Sequence, residues 1–160
     1  MDNPIQLFNT PPTHLSVGAV LRNELGQILC HHFDKSPGEG LSDIYVLMRE
    51  TVENNESLEA SVHRGLMEEF GATGTITKYL GPIIGNYPEA DPTQMTEKTT
   101  LYFLVEVIDF DPARRHTGDA ESASVLQWQT PEFLIEKMTA QRARVGDRGD
   151  LDESPILNRL

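Results

Sequence analysis

The stretch YVLMRETVENNESLEASVHRGLMEEFGA, residues 45–72, decides how the chain is read. Within it Leu58, Val62, Leu66 and Phe70 recur every fourth residue, a spacing that keeps apolar side chains on one slowly drifting helix face. Ala60 and Met67 flank that stripe, Asn54, Asn55 and Ser57 offer N-cap oxygens, and Gly71 and Gly74 supply stop signals. The pattern predicts a helix over residues 57–70. At about 100° per residue, positions 65, 68 and 69 of this helix share a face. Carboxylates on such a face can hold a hard cation such as Mg²⁺, which takes oxygen ligands in octahedral geometry. Taken alone, the pair Glu68-Glu69 reads as a solvated surface.

Outward from the helix the pattern is that of strands. Leu15–Leu21 and Gln27–Phe33, joined by the turn signal Asn23-Glu24-Leu25-Gly26, predict a hairpin. A loop with Pro37, Gly38 and Gly40 leads to a short strand, Ile44–Met48. Ile76–Ile84 and Thr99–Ile108 are the next strands, separated by a polar loop with Pro88 and Pro92; Ala123–Trp128 reads as the last. A second helix follows, capped by Thr130, with Pro131 at its first position and Gly146 at its end. Residues 147–160 either pack through Ile156 and Leu157 or fray, and the residues up to Pro12 read as a lead-in. Strands on both sides of a central helix, with a late helix, predict a mixed α/β or α+β layer fold.

Composition narrows the function classes. Twenty-five acidic against thirteen basic side chains give a formal charge of −12, the wrong sign for a nucleic-acid-binding surface. An anionic small substrate stays compatible, because a bound divalent cation inverts the local field. No apolar run reaches the roughly 20 residues of a membrane helix, and Met1-Asp2-Asn3-Pro4 is no signal peptide. The single cysteine, Cys30, excludes an intrachain disulfide and a multi-thiolate zinc site, so a cytoplasmic protein is expected.

The spacing in residues 50–72 resembles the Nudix box, G-x5-E-x7-R-E-U-x-E-E-x-G-U, where U is a bulky apolar residue. Glu56 falls at the first Glu, Arg64 follows after seven residues, and Leu66, Glu68, Glu69 and Gly71 fall in step. Ser16–Leu21 with the Gly26 turn is similar to the family's opening hairpin. Tyr45 stands where an aromatic often precedes the box, and Trp128 with Thr130-Pro131-Glu132 resembles the closing strand and helix. The resemblance covers about residues 14–140. It implies one Nudix-like domain over residues 1–160, an α/β/α sandwich with a mixed sheet and a central loop-helix-loop motif. Its core would span about 14–146, with a lead-in over 1–13 and a tail over 147–160.

The resemblance further implies a hydrolase, dependent on Mg²⁺ or Mn²⁺, that cleaves the pyrophosphate of a nucleoside diphosphate linked to another group. Carried over residue by residue, Glu68 and Glu69 would be metal ligands and Glu56 an accessory acid. Arg64 would orient the carboxylates by charge-assisted hydrogen bonds. Three positions depart from the pattern. Leu47-Met48-Arg49-Glu50 stands where Leu-Pro-Gly-Gly is common, the last U is Ala72, and Gly65 replaces the Glu directly after Arg64. That Glu is a metal ligand or the water-activating base in the family, so here the base must come from elsewhere. Glu121, in the loop before the Trp128 strand, is the favoured substitute, ahead of Glu50 and Glu53. Gly65 and Glu50 also support a second reading, a catalytically impaired nucleotide-binding or regulatory module. The third reading is an unrelated acidic α/β domain.

Other residues read more plainly. His31 and His32 are adjacent on a strand and point to opposite faces, so they cannot readily share an ion. His63 reads as a partly exposed helix histidine, Cys30 as a small core residue, and Arg114-Arg115-His116 as a solvated cluster within reach of a phosphate. Leu101–Val107 is either core or a dimer edge, which leaves a homodimer open.

Overall fold

Thr13–Arg22 forms β1, where apolar residues alternate so that Val17, Ala19 and Leu21 face one side of the sheet and Val20 the other. The turn at Asn23–Gln27 returns the chain as β2 (Ile28–Lys35); Asn23 Oδ1 accepts from the backbone N–H groups of Leu25 and Gln27. The computed structural model describes residues 12–35, 40–88, 91, 93–146 and 148–160. The expected lead-in up to residue 11, the loop residues Pro37, Gly38 and Pro92, and position 147 lie outside the described residues.

β3 (Ser42–Val46) pairs antiparallel with β2, but β4 (Met48–Thr51) pairs with β1 instead. The chain changes partner at Leu47. β5 (Ala72–Pro88) and β6 (Met95–Phe110) form a long antiparallel pair, and β6 runs parallel to β1 over Thr13–Arg22 and Glu97–Glu106. β7 (Val125–Gln129) adds to the other side of β2. The mixed sheet therefore runs β3-β2-β1-β6-β5, and Leu101–Val107 sits in an interior strand between β1 and β5, not at an edge. At the β1–β6 seam Gly18 faces Tyr102; a Cβ there would lie 2.5 Å from the ring, so only glycine admits the buried tyrosine.

Helices cover both faces of the sheet. α1 (Leu58–Gly65) is capped by Ser57, whose side chain accepts from the Ala60 N–H, and continues as one π-helical turn over Leu66–Phe70. Val62, Leu66 and Phe70 pack with Val17, Ala19, Leu21, Leu29, Met48 and Val105 on one face, as the four-residue spacing predicts; Ala60 stays exposed. Gly71 alone ends the helix, at φ 67°, while Gly74 lies inside β5. On the opposite face α2 (Pro131–Arg142) begins at the expected Thr130 cap and packs Leu134 and Met138 against Val20, Cys30, Leu80 and Tyr102.

The tail does not fray. A helical turn, α3 (Ser154–Leu157), buries Ile156 and Leu157 in that same cluster. Its neighbour Glu153 is fully buried and accepts from the Leu47 N–H at 2.6 Å and from the Tyr102 hydroxyl. Leu47 is where the chain leaves β2 for β1, so its N–H loses a ladder partner and the tail carboxylate replaces it. Two residues earlier Gln141 does the same, accepting from the Tyr45 N–H at 2.7 Å and donating to the Tyr45 carbonyl at 2.9 Å. The result is a sheet with helices on both faces, split open where β3 and β4 diverge. Among the described residues, no helix is long and apolar enough to cross a membrane.

Candidate active site

The divergence of β3 from β4 opens a cavity of about 230 Å³, lined in part by His31, Arg49, Glu69, Lys98, Glu121 and Arg148. The end of α1 reaches its mouth. Arg64 organises that end: its Nε and Nη2 donate to the two oxygens of Glu56 at 2.8 and 3.0 Å, and Nη2 also donates to the Thr51 carbonyl at 2.7 Å. Its Nη1 lies 3.4 Å from Glu68, 3.3 Å from Glu50 and 3.7 Å from Glu53. The hydrogen bond from Arg64 holds the Glu56 carboxyl below the ordinary range. The fork-shaped guanidinium thus ties the loop before the helix to the helix itself.

Residues 65, 68 and 69 do not act as one face. The turn over Leu66–Phe70 closes with the wider π spacing, which resets the side chains after Gly65. Gly65 faces β4, Glu68 lies by Arg64, and Glu69 is buried in the cavity wall with only 6% of its surface exposed. The loop after β6 closes this turn: the His116 N–H donates to the Glu68 carbonyl at 2.7 Å and Arg114 donates to the Gly71 carbonyl at 2.9 Å. Arg115 donates to the carbonyls of Glu121 and Ser124. The basic cluster, whose Arg114 and His116 are exposed as expected, also caps a helix end and, through Arg115, braces the Glu121 turn.

Glu69 and His31 form a buried pair, Nε2 to Oε2 at 2.8 Å. Burial, with the charges of Arg115 and Arg49, pushes His31 down to about 3, so the ring is neutral at pH 7. Its tautomer follows from Ser124. That hydroxyl donates to the Glu121 carbonyl at 2.7 Å and accepts from Arg115 at 3.0 Å, so it can only accept from His31 Nδ1–H, at 2.7 Å. Nε2 is left as an acceptor, and Glu69 must donate from a protonated oxygen. The same answer comes from electrostatics: burial first, then the charges of Glu121 and Glu50, raise the Glu69 carboxyl well above its ordinary value. His32, on the other face, stacks on Tyr45 and pairs with Asp43, so the two histidines do point apart.

The donor chemistry fits a hard divalent cation. Glu68, Glu69 and Glu50 offer carboxylate oxygens; burial, then the charges of Glu121 and Glu50, hold the Glu69 carboxyl up, and a nearby cation would favour its ionised form. Among the described residues no three such side chains stand in metal-holding geometry, since Arg64 draws Glu50, Glu56 and Glu68 while His31 holds Glu69. Glu121 also lines the cavity.

Three cations of the cavity carried no signal in the sequence. Arg49 and Arg148 both pair with the buried Asp150 at 3.0 Å, and Lys98 faces the same space with its amine lowered to about 8 by burial and by Arg49. They come from β4, β6 and the tail, too far apart along the chain for any spacing rule to unite them.

The comparisons agree with this architecture. The NUDIX domain family profile matches residues 12–148. The MutT protein from Methanosarcina mazei Go1 is similar in structure, with 21% identity, 90% of this chain and 93% of that chain covered, and a TM-score of 0.58. A NUDIX hydrolase from Nitrosomonas europaea is similar with 20% identity, 91% and 90% covered, and a TM-score of 0.60. No curated protein sequence matches the chain. With the profile spanning most of its length, the chain belongs to the NUDIX domain family.

Proposed function

We propose that the protein is a divalent-metal-dependent hydrolase of the pyrophosphate bond in a nucleoside diphosphate linked to another group. The observation that carries this is the turn at the end of α1, where Glu68 pairs with Arg64, itself bonded to Glu56, and the adjoining Glu69 lines a cavity that also presents Arg49, Lys98 and Arg148. In a chain of net charge −12, three cations in one cavity favour an anionic substrate there. Glu68 and Glu69 would hold Mg²⁺ or Mn²⁺, with Glu56 supporting them through Arg64. Such a cation, when bound, neutralises phosphate charge and lowers the pKa of the attacking water. Glu69 would give up its proton to solvent as the cation binds, while His31, kept neutral, would go on orienting it from 2.8 Å away. Glu121, which lines the cavity, would take a proton from the attacking water.

The test is a release assay for phosphate and mononucleotide over nucleoside triphosphates, dinucleotides and sugar nucleotides, with Mg²⁺ or Mn²⁺. Turnover that EDTA removes and that Glu68→Gln and Glu69→Gln abolish supports the proposal. The second reading, a nucleotide-binding module without turnover, is favoured by the packing of Gly65, where a helix carboxylate has no room. Nucleotide-dependent stabilisation with no product across the panel would establish it.

A further inference from the structure

We infer that Glu50 supplies, from β4, the carboxylate that the helix lacks at position 65, and so completes the oxygen set for the cation beside Glu68 and Glu69. The inference rests on the metal-dependent reading above. The box pattern has glycine at 50 and glutamate at 65; this chain has the two exchanged. The structure shows that the exchange is reciprocal in space. An ideal Cβ on Gly65 would fall 2.8 Å from the Glu50 Cβ and 2.7 Å from the Met48 sulfur. Side chains at 50 and 65 therefore compete for one volume, and Glu50 occupies it.

This also accounts for glycine itself at 65. Loss of a carboxylate alone would leave alanine as the better helix residue, by about 1 kcal/mol. Alanine is excluded because its methyl would strike the stem of Glu50.

The Glu50 carboxylate is pinned beside Arg64. Its Oε1 accepts from the Thr51 N–H at 2.9 Å and lies 3.3 Å from Arg64 Nη1, the same nitrogen that lies 3.4 Å from Glu68 Oε2. Glu53 also approaches Arg64, at 3.7 Å, but its side chain is 67% exposed, whereas Glu50 is 20% exposed. Of the described acids outside the helix, Glu50 alone thus combines contact with Arg64, a pinned side chain and a place in the volume of residue 65.

Mn²⁺ binding to the full chain, measured by electron paramagnetic resonance of free Mn²⁺ and by calorimetry, tests this without relying on turnover. Glu50→Gln keeps the shape and removes the charge; its affinity should fall about 10- to 100-fold, the usual effect of losing an oriented carboxylate at a metal site. The double variant Glu50→Gly/Gly65→Glu returns the acid to the helix and should bind at least about tenfold more tightly than Glu50→Gln. If Glu50→Gln binds like wild type while Glu68→Gln does not, Glu50 is only a partner of Arg64 and the inference falls while the metal site stands. If wild-type protein binds no Mn²⁺ at millimolar concentration, the metal reading and the inference fall together. Should the double variant fail to fold, the comparison of Glu50→Gln with Glu68→Gln decides alone.

Discussion

Replacing Gly65 by alanine sets helix propensity against packing. On propensity alone, alanine in a helix interior is worth about 1 kcal/mol over glycine. The added methyl would stand 2.7 Å from Met48 Sδ, 2.8 Å from Glu50 Cβ and 3.1 Å from Met48 Cε. Met48 is fully buried, and the Glu50 Cβ is carried by a strand laddered to β1 from Met48 to Thr51. Neither neighbour can give way by rotation alone, so β4 or the helix must move. Overpacking of this kind costs about 1–3 kcal/mol, and two contacts under 3.0 Å place it in the upper part of that range. The expected net effect is a loss of about 1–2 kcal/mol. In urea denaturation, an m-value of about 2 kcal/mol/M converts this to a midpoint lower by about 0.5–1 M. In a Glu50→Gly background one of the two clashes is gone, so the same substitution should cost measurably less. A rise in stability near 1 kcal/mol in the wild-type background would refute the reasoning, because it would mean that helix α1 is not seated on β4 at Gly65.

Gly71→Ala meets both a left-handed backbone, φ 67°, and the Asp111 carbonyl 2.1 Å from the new Cβ; a loss of roughly 2–4 kcal/mol is expected by denaturation. A neutral result would show that the loop after β6 does not close the helix end. Glu153→Ala orphans the Leu47 N–H and the Tyr102 hydroxyl and should cost about 3–5 kcal/mol, whereas Glu153→Gln keeps an acceptor and should cost less than half as much. Equal losses in the two variants would sink the capping role of Glu153. The Arg64 hydrogen bond holds Glu56 below its unfolded value of about 4.3, so the unfolded chain binds more protons and stability falls as pH drops through and below that value. Between pH 5 and 3 the stability of Glu56→Gln should therefore fall less steeply than that of wild type; parallel curves would remove the pair from the account.

The helix of residues 57–70 was legible because a four-residue apolar period survives any detail of packing. The Ser57 cap, the Gly71 stop, the Thr130-Pro131 start and the strand alternation in β1 are equally local, and each stands where the sequence places it. The wider turn over Leu66–Phe70 was not legible, since a π turn has no period of its own in five residues. It changes the site: Glu68 and Glu69 part company, one to Arg64 and one to His31.

By itself, then, the sequence determined the layered fold, the positions of Arg64, Glu56, Glu68 and Glu69 on one loop-helix unit, and the absence of an acid at residue 65, because these depend on neighbours a few residues apart. Only the tertiary structure decided what faces them. The cavity exists because β3 and β4 part at Leu47, and that parting is held by Glu153, more than one hundred residues away in the chain. His31, Arg49, Lys98, Glu121 and Arg148 meet there, and Glu50 enters the space of Gly65, through strand pairing and tail docking. No spacing rule encodes such meetings, because long-range pairing of chain segments is settled by burial and backbone hydrogen bonding over the whole sheet, not by local pattern.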